Sequence, residues 1–135
     1  MRTITKAALG VFLATSFAFA TDNAFGRGVS AFGQRDYQEE IKHYSIAVEE
    51  NPNDAKAYYS RADAYYELKD YAKAIADYSQ ALKIDPNYVG AYYGRVSAYV
   101  MLDELKQATQ YAREACELGY CDALEVLKEE YLIDD

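Results

Sequence analysis

The chain has 135 residues, 22 of them acidic and 14 basic, for a formal net charge of −8 at neutral pH. Non-specific nucleic-acid binding rests on Lys and Arg displacing counterions from phosphates, and anionic membranes are held by basic clusters. An acidic chain without such a cluster suits neither.

Arg2 and Lys6 open the chain with positive charge, and an apolar run over 7–19 follows, broken only by Gly10, Thr15 and Ser16. It closes on Ala18-Phe19-Ala20, a small-x-small site that suits a signal peptidase. A membrane-spanning helix wants about 20 apolar residues, so this run is short for an anchor. Residues 1–20 are therefore expected to be a cleavable export signal, with an uncleaved anchor as the alternative. The rest carries net charge −10 and is one domain's worth of chain. No later stretch is apolar enough to cross a bilayer. The expected location is periplasmic or secreted, without membrane contact in the mature form.

Past the signal, the sequence repeats. The only prolines lie in Asn51-Pro52-Asn53 and Asp85-Pro86-Asn87, 34 residues apart. At the same offset Tyr37, Ile41, Tyr44 and Ala47 match Tyr71, Ile75, Tyr78 and Ala81. A further step pairs Tyr58, Tyr59, Arg61 and Tyr65 with Tyr92, Tyr93, Arg95 and Tyr99. The units run over 21–54, 55–88 and 89–122, with 123–135 left over. Each reads as two helices: Tyr58, Ala62 and Tyr65 form one apolar stripe, and Ala74, Tyr78, Ala81 and Leu82 form another after a break at Lys69-Asp70. Proline ends the second helix. Asp54 and Asn87 are placed to cap the next one, and Asp122-Ala123-Leu124-Glu125 reads as a capping box for the last.

The middle unit resembles a tetratricopeptide repeat: Tyr58 as the aromatic opener, Ala62 as the small residue, then Tyr65, Ala74, Tyr78, Ala81 and Pro86. The outer units depart from it, with Ala24 for the opening aromatic, Val96 for the small residue and Ala112 for the large aromatic. The stretch Ala115-Cys116-Glu117-Leu118-Gly119 resembles a Sel1-type repeat, which shares the helix-pair architecture. The resemblance implies an all-α fold: a right-handed α-solenoid of three helix pairs closed by a capping helix over 123–135.

In that family the first helix of each pair lines a concave face where partner peptides lie. The matching positions are Phe25, Val29, Phe32, Tyr59, Asp63, Tyr66, Tyr93, Ser97 and Val100. Rigid aromatics bury much area at low entropic cost, which suits a binding surface. Helix-on-helix packing is the competing role for Tyr59, Tyr66 and Tyr93, and it is the expected one for Tyr58, Tyr65, Tyr78, Tyr92 and Tyr99. Relatives that hold acidic chaperone C-termini do so with a clamp of Lys, Arg and Asn, whose places here are Phe25, Val29, Ser60, Gly90 and Gly94. None of these grips a carboxylate by charge. The expected partner is a protein or peptide that is apolar or helical, with basic residues to suit the acidic surface.

Arg27, Arg61 and Arg95 recur in register. They fit an anion-binding stripe, or, as preferred here, interhelical ion pairs with Asp77 as one acceptor. Cys116 and Cys121 are too far apart for a bond within a continuous helix, but a left-handed Gly119 would bring them together. A disulfide between them, two buried thiols and a link between chains all stay open. His43 has no nucleophile and orienting acid in readable reach, and no phosphate loop, serine elbow or zinc spacing occurs. No catalytic residue, metal or cofactor is expected. The function expected is an exported scaffold docking a protein on a tyrosine-rich concave face. The alternative is a self-assembling structural component of a cell-envelope complex.

Overall fold

A computed structural model describes residues 36–133. The expected signal over 1–20, together with Phe25, Arg27, Val29 and Phe32, lies outside the described residues. Residues 36–133 form six α-helices, and no strand occurs among them: α1 (Tyr37–Glu50), α2 (Ala55–Glu67), α3 (Tyr71–Ile84), α4 (Val89–Met101), α5 (Leu105–Glu117) and α6 (Asp122–Tyr131).

Helix ends follow local chemistry. Asp36, Asp54 and Asp70 cap α1, α2 and α3, their carboxylates accepting from the backbone N–H groups of Glu39, Ala57 and Lys73. In both proline turns the residue before Pro acts twice. The backbone N–H of Asn51 closes α1 onto the Ala47 carbonyl, while its side chain accepts from the Asn53 N–H at 3.2 Å. Asp85 repeats this with Ala81 and Asn87. Asn87 is thereby drawn into the turn and does not cap α4. Tyr88 holds the cap position without a side-chain bond.

The expected capping box at the last helix does not form. Asp122 is already the first residue of α6, Cys121 holds the cap position, and no side chain caps it. The Asp122 carboxylate is engaged elsewhere, as described below.

The turns after α2, α4 and α5 share one geometry, in which a left-handed residue follows a leucine. At Gly119 this conformation is natural (φ 93°), but Lys69 and Asp103 adopt it at φ 62° and 66°. A side chain in that region is held at a cost of about 1 kcal/mol. Lys69→Gly is therefore expected to raise the melting midpoint by a few degrees, measured by differential scanning calorimetry.

Consecutive helices pack in chain order, and α2 also touches α4. This next-but-one contact sets corresponding members of successive pairs side by side, which makes the array a solenoid. Alanine makes the close approach possible: Ala62, Ala74, Ala81, Ala91, Ala108, Ala112, Ala115 and Ala123 are all fully buried. Two cores result. One gathers Tyr78, Leu82 and Tyr92 among the alanines of α2, α3 and α4. The other sets Val96 and Val100 of α4 against Leu127 of α6. Of the five tyrosines expected in the core, only Tyr78 and Tyr92 are buried; Tyr58, Tyr65 and Tyr99 pack at its margin.

Candidate functional site: the α2–α4 tyrosine face

Residues 59, 63 and 66 share one face of α2, and residues 93, 97 and 100 share the corresponding face of α4. The two faces meet. The Tyr66 hydroxyl lies 2.7 Å from the Ser97 Oγ, bridging α2 to α4. The buried Tyr78 of α3 reaches up between them, and its hydroxyl donates to Asp63 Oδ1 at 2.6 Å. Tyr59 stacks on Tyr88 with ring centroids 4.9 Å apart. Farther along, the Tyr93 hydroxyl donates to Asp122 Oδ2 at 3.2 Å, which is the contact that occupies the Asp122 carboxylate.

Depth separates the expected wall residues. Tyr59, Asp63, Tyr66 and Tyr93 are half-buried and line the face. Ser97 (5 % exposed) and Val100 (1 % exposed) lie beneath it. This corrects the expectation for both: α6 takes the place of a following first helix, and its Leu127 covers Val100. Three contributors went unforeseen, namely Tyr88, Asp122 and the hydroxyl of Tyr78. Tyr88 had a signal, because it stands one repeat beyond Asp54, where a tyrosine cannot cap but can stack.

Electrostatically the face is a set of protonated tyrosines beside carboxylates. Burial first, then the Asp63 charge, raises Tyr59 and Tyr78 above the ordinary tyrosine value. Burial, then Asp63, Asp54 and Asp85, pushes Tyr88 up to about 12, and burial followed by Asp122 does the same for Tyr93. The folded values lie above the unfolded one near 10, so this stabilisation is complete below about pH 10, and the share from Tyr88 and Tyr93 is lost as pH rises toward about 12. A tyrosinate absorbance titration is expected to show Tyr59, Tyr78, Tyr88 and Tyr93 ionising only above about pH 10 and together with loss of helical dichroism. A single wave near pH 10 with the helices intact contradicts this.

Below the face, the arginine register resolves into two arrangements. Arg61 forms a bidentate pair with Asp77, Nε to Oδ2 at 2.6 Å and Nη2 to Oδ1 at 2.9 Å, and donates from Nη1 to Ser45 of α1 at 3.1 Å. One side chain thus ties α1, α2 and α3 together. For Arg95 the place of Asp77 is taken by Tyr111, whose ring centre lies 3.8 Å from the guanidinium. Its carboxylate contact is Glu114 at 3.6 Å, and its buried Nε has no hydrogen-bond partner among the described residues. The expected interhelical ion pair therefore holds for both, close and bidentate at Arg61 and long at Arg95, whose guanidinium lies chiefly on an aromatic face. His43 is exposed, 3.8 Å from Glu39.

Two models of the tetratricopeptide repeat match the sequence, over residues 25–89 and 67–115. The chain belongs to the tetratricopeptide repeat family. Two tetratricopeptide domains of known structure share its fold. The Arabidopsis OM64 TPR domain superposes with a TM-score of 0.62 at 22 % identity, over 93 % of this chain and 95 % of that one. The TPR2B domain of yeast Sti1, solved in a complex named for pHsp70, gives 0.59 at 22 % identity over 94 % of each. Curated relatives match over shorter stretches. Hsp70-Hsp90 organizing protein 1 of Glycine max is 47 % identical over 47 residues, and its Arabidopsis thaliana namesake 48 % over 42. These stretches cover 35 % and 31 % of this chain, but only 8 % and 7 % of the relatives. The chain thus spans less than a tenth of the length of these relatives.

Proposed function

We propose that this tetratricopeptide protein is an exported scaffold that holds a protein partner on the α2–α4 face. The observation that carries the reading is the set of half-buried rings of Tyr59, Tyr66 and Tyr93 brought onto one surface of adjoining helices. Such rings offer apolar area and a hydroxyl with few rotamers to freeze. Carboxylates stand around them, so a partner segment that is apolar or helical and carries basic residues complements the face. Export, to a periplasm or beyond, rests on the signal-like sequence of residues 1–20.

A chaperone C-terminus is the rival ligand, given relatives named for Hsp70 and Hsp90. At the clamp positions within the described residues this chain has Ser60, Gly90 and Gly94. Gly90 is buried, and the space above Gly94 is filled by the Tyr78 ring. No cation stands at these places to pair with a terminal carboxylate. Titration calorimetry with an acidic chaperone C-terminal peptide is expected to show no binding, and a micromolar constant would defeat the reading. For the face itself, Tyr59→Ala combined with Tyr93→Ala is expected to abolish partner capture from the cell envelope while far-UV dichroism stays helical. Undiminished capture would place the site elsewhere.

A further inference from the structure

Cys116 in the last turn of α5 and Cys121 at the start of α6 are joined by a disulfide. Gly119 between them takes the left-handed conformation that closes the turn. What the bond holds is more than the turn. Tyr120, inside the loop, packs in the α2–α4 core with its ring 6.4 Å from that of Tyr92. Asp122, the next residue after Cys121, accepts the Tyr93 hydroxyl on the candidate binding face. Leu127, farther along α6, is fully buried against Val96 and Val100. One covalent link therefore joins the end of α5 to the helix that carries Asp122 and Leu127.

We propose that the Cys116–Cys121 disulfide acts as a redox control on the α2–α4 face: oxidised, it fixes Asp122 on Tyr93; reduced, it releases both together with α6. The regulatory part rests on the face being the binding surface, as argued above. The chemistry is thiol–disulfide exchange with a dithiol reductant. A reductant thiolate attacks one sulfur, its second thiol resolves the mixed disulfide, and two electrons and two protons end as the thiols of Cys116 and Cys121. Release is local for two reasons. Helix α6 has ten residues and lacks a side-chain cap, and a helix that short has little stability of its own in water. Its principal helix neighbour is α5, so α2 and α3 keep their contacts when it opens.

The test is amide hydrogen exchange on the purified protein, with and without dithiothreitol, beside a Cys116→Ser/Cys121→Ser variant kept without reductant. Reduction is expected to speed exchange of the 122–131 amides on the order of tenfold, leaving α2 and α3 unchanged. The double variant should match the reduced state, and the Tyr93 ring resonances should shift in both. Asp122→Asn, with the disulfide intact, should move the Tyr93 signal without speeding α6 exchange. Equal α6 exchange in oxidised and reduced protein overturns the proposal. So do two free thiols in unreduced, denatured protein, or a serine variant that behaves like the oxidised form. These readouts need no partner, so a failure of the face as a docking surface would appear separately, as capture that ignores Tyr59 and Tyr93.

Discussion

Replacing Gly94 by Ala is expected to lower folding stability by about 3 kcal/mol, read from urea unfolding followed by far-UV dichroism. An ideal Cβ at Gly94 would stand 2.6 Å from Cε1 and 2.8 Å from the hydroxyl oxygen of Tyr78. That ring cannot step aside. It is 2 % exposed, packed among Ala62, Ala74, Ala81 and Ala91, and tied by its hydroxyl to Asp63. The added methyl must push either α4 away from α3 or the ring out of its rotamer. Both costs fall on the core that positions the tyrosine face. Trimming the ring in the Gly94→Ala background, by Tyr78→Leu, should make the two substitutions less than additive, because they relieve one another. An unchanged midpoint for Gly94→Ala, or full additivity of the pair, would contradict this close approach.

The second large effect separates two arginines that the repeat makes equivalent. Arg61→Met is expected to cost about 3 kcal/mol, because it strands the Asp77 carboxylate in a buried position. Both side chains of the pair are largely covered, and the Ser45 bond anchors the same guanidinium to α1. Arg95→Met should change stability by less than about 1 kcal/mol. Its removal forfeits a cation–π contact with Tyr111, but it also removes a charge whose Nε is buried without a hydrogen-bond partner among the described residues and whose pKa burial pulls below the ordinary guanidinium value. Guanidinium chloride would mask ion-pair effects, so urea unfolding is the measurement to use. Equal losses for the two variants would show that the ring replaces the carboxylate fully.

The contrast between Arg61 and Arg95 also shows what a repetitive sequence makes readable. The period of 34 residues, the proline turns and the alanine stripes are all local statements, and each reappears as a helix, a turn or a close contact. The Arg61–Asp77 pair was readable because both residues sit on helices of the same unit. The loss of that acceptor for Arg95 was equally visible, as Tyr111 in the place of Asp77. Depth was not. The family correspondence gives the helix face a residue occupies, but not what lies over it, so Ser97 and Val100 fell on the wall by resemblance and beneath it in space. Capping failed at Asp122 for a related reason. A local hydrogen bond to its own helix competes with a distant one to Tyr93, and only the tertiary arrangement brings that hydroxyl near. Likewise Tyr78 carried the mark of a core residue and is one, yet its hydroxyl emerges at Asp63.

The claim on which the functional account depends is that a partner lies on the half-buried tyrosines of α2 and α4. Site-specific photo-cross-linking tests it most directly, with a benzophenone amino acid placed at Tyr59, at Tyr93 and, on the exposed face of α5, at Gln110. An aromatic probe at either tyrosine keeps the ring that packs there. The account predicts one common protein adduct from Tyr59 and Tyr93 and none from Gln110. An adduct from Gln110 with silence at both tyrosines would contradict it.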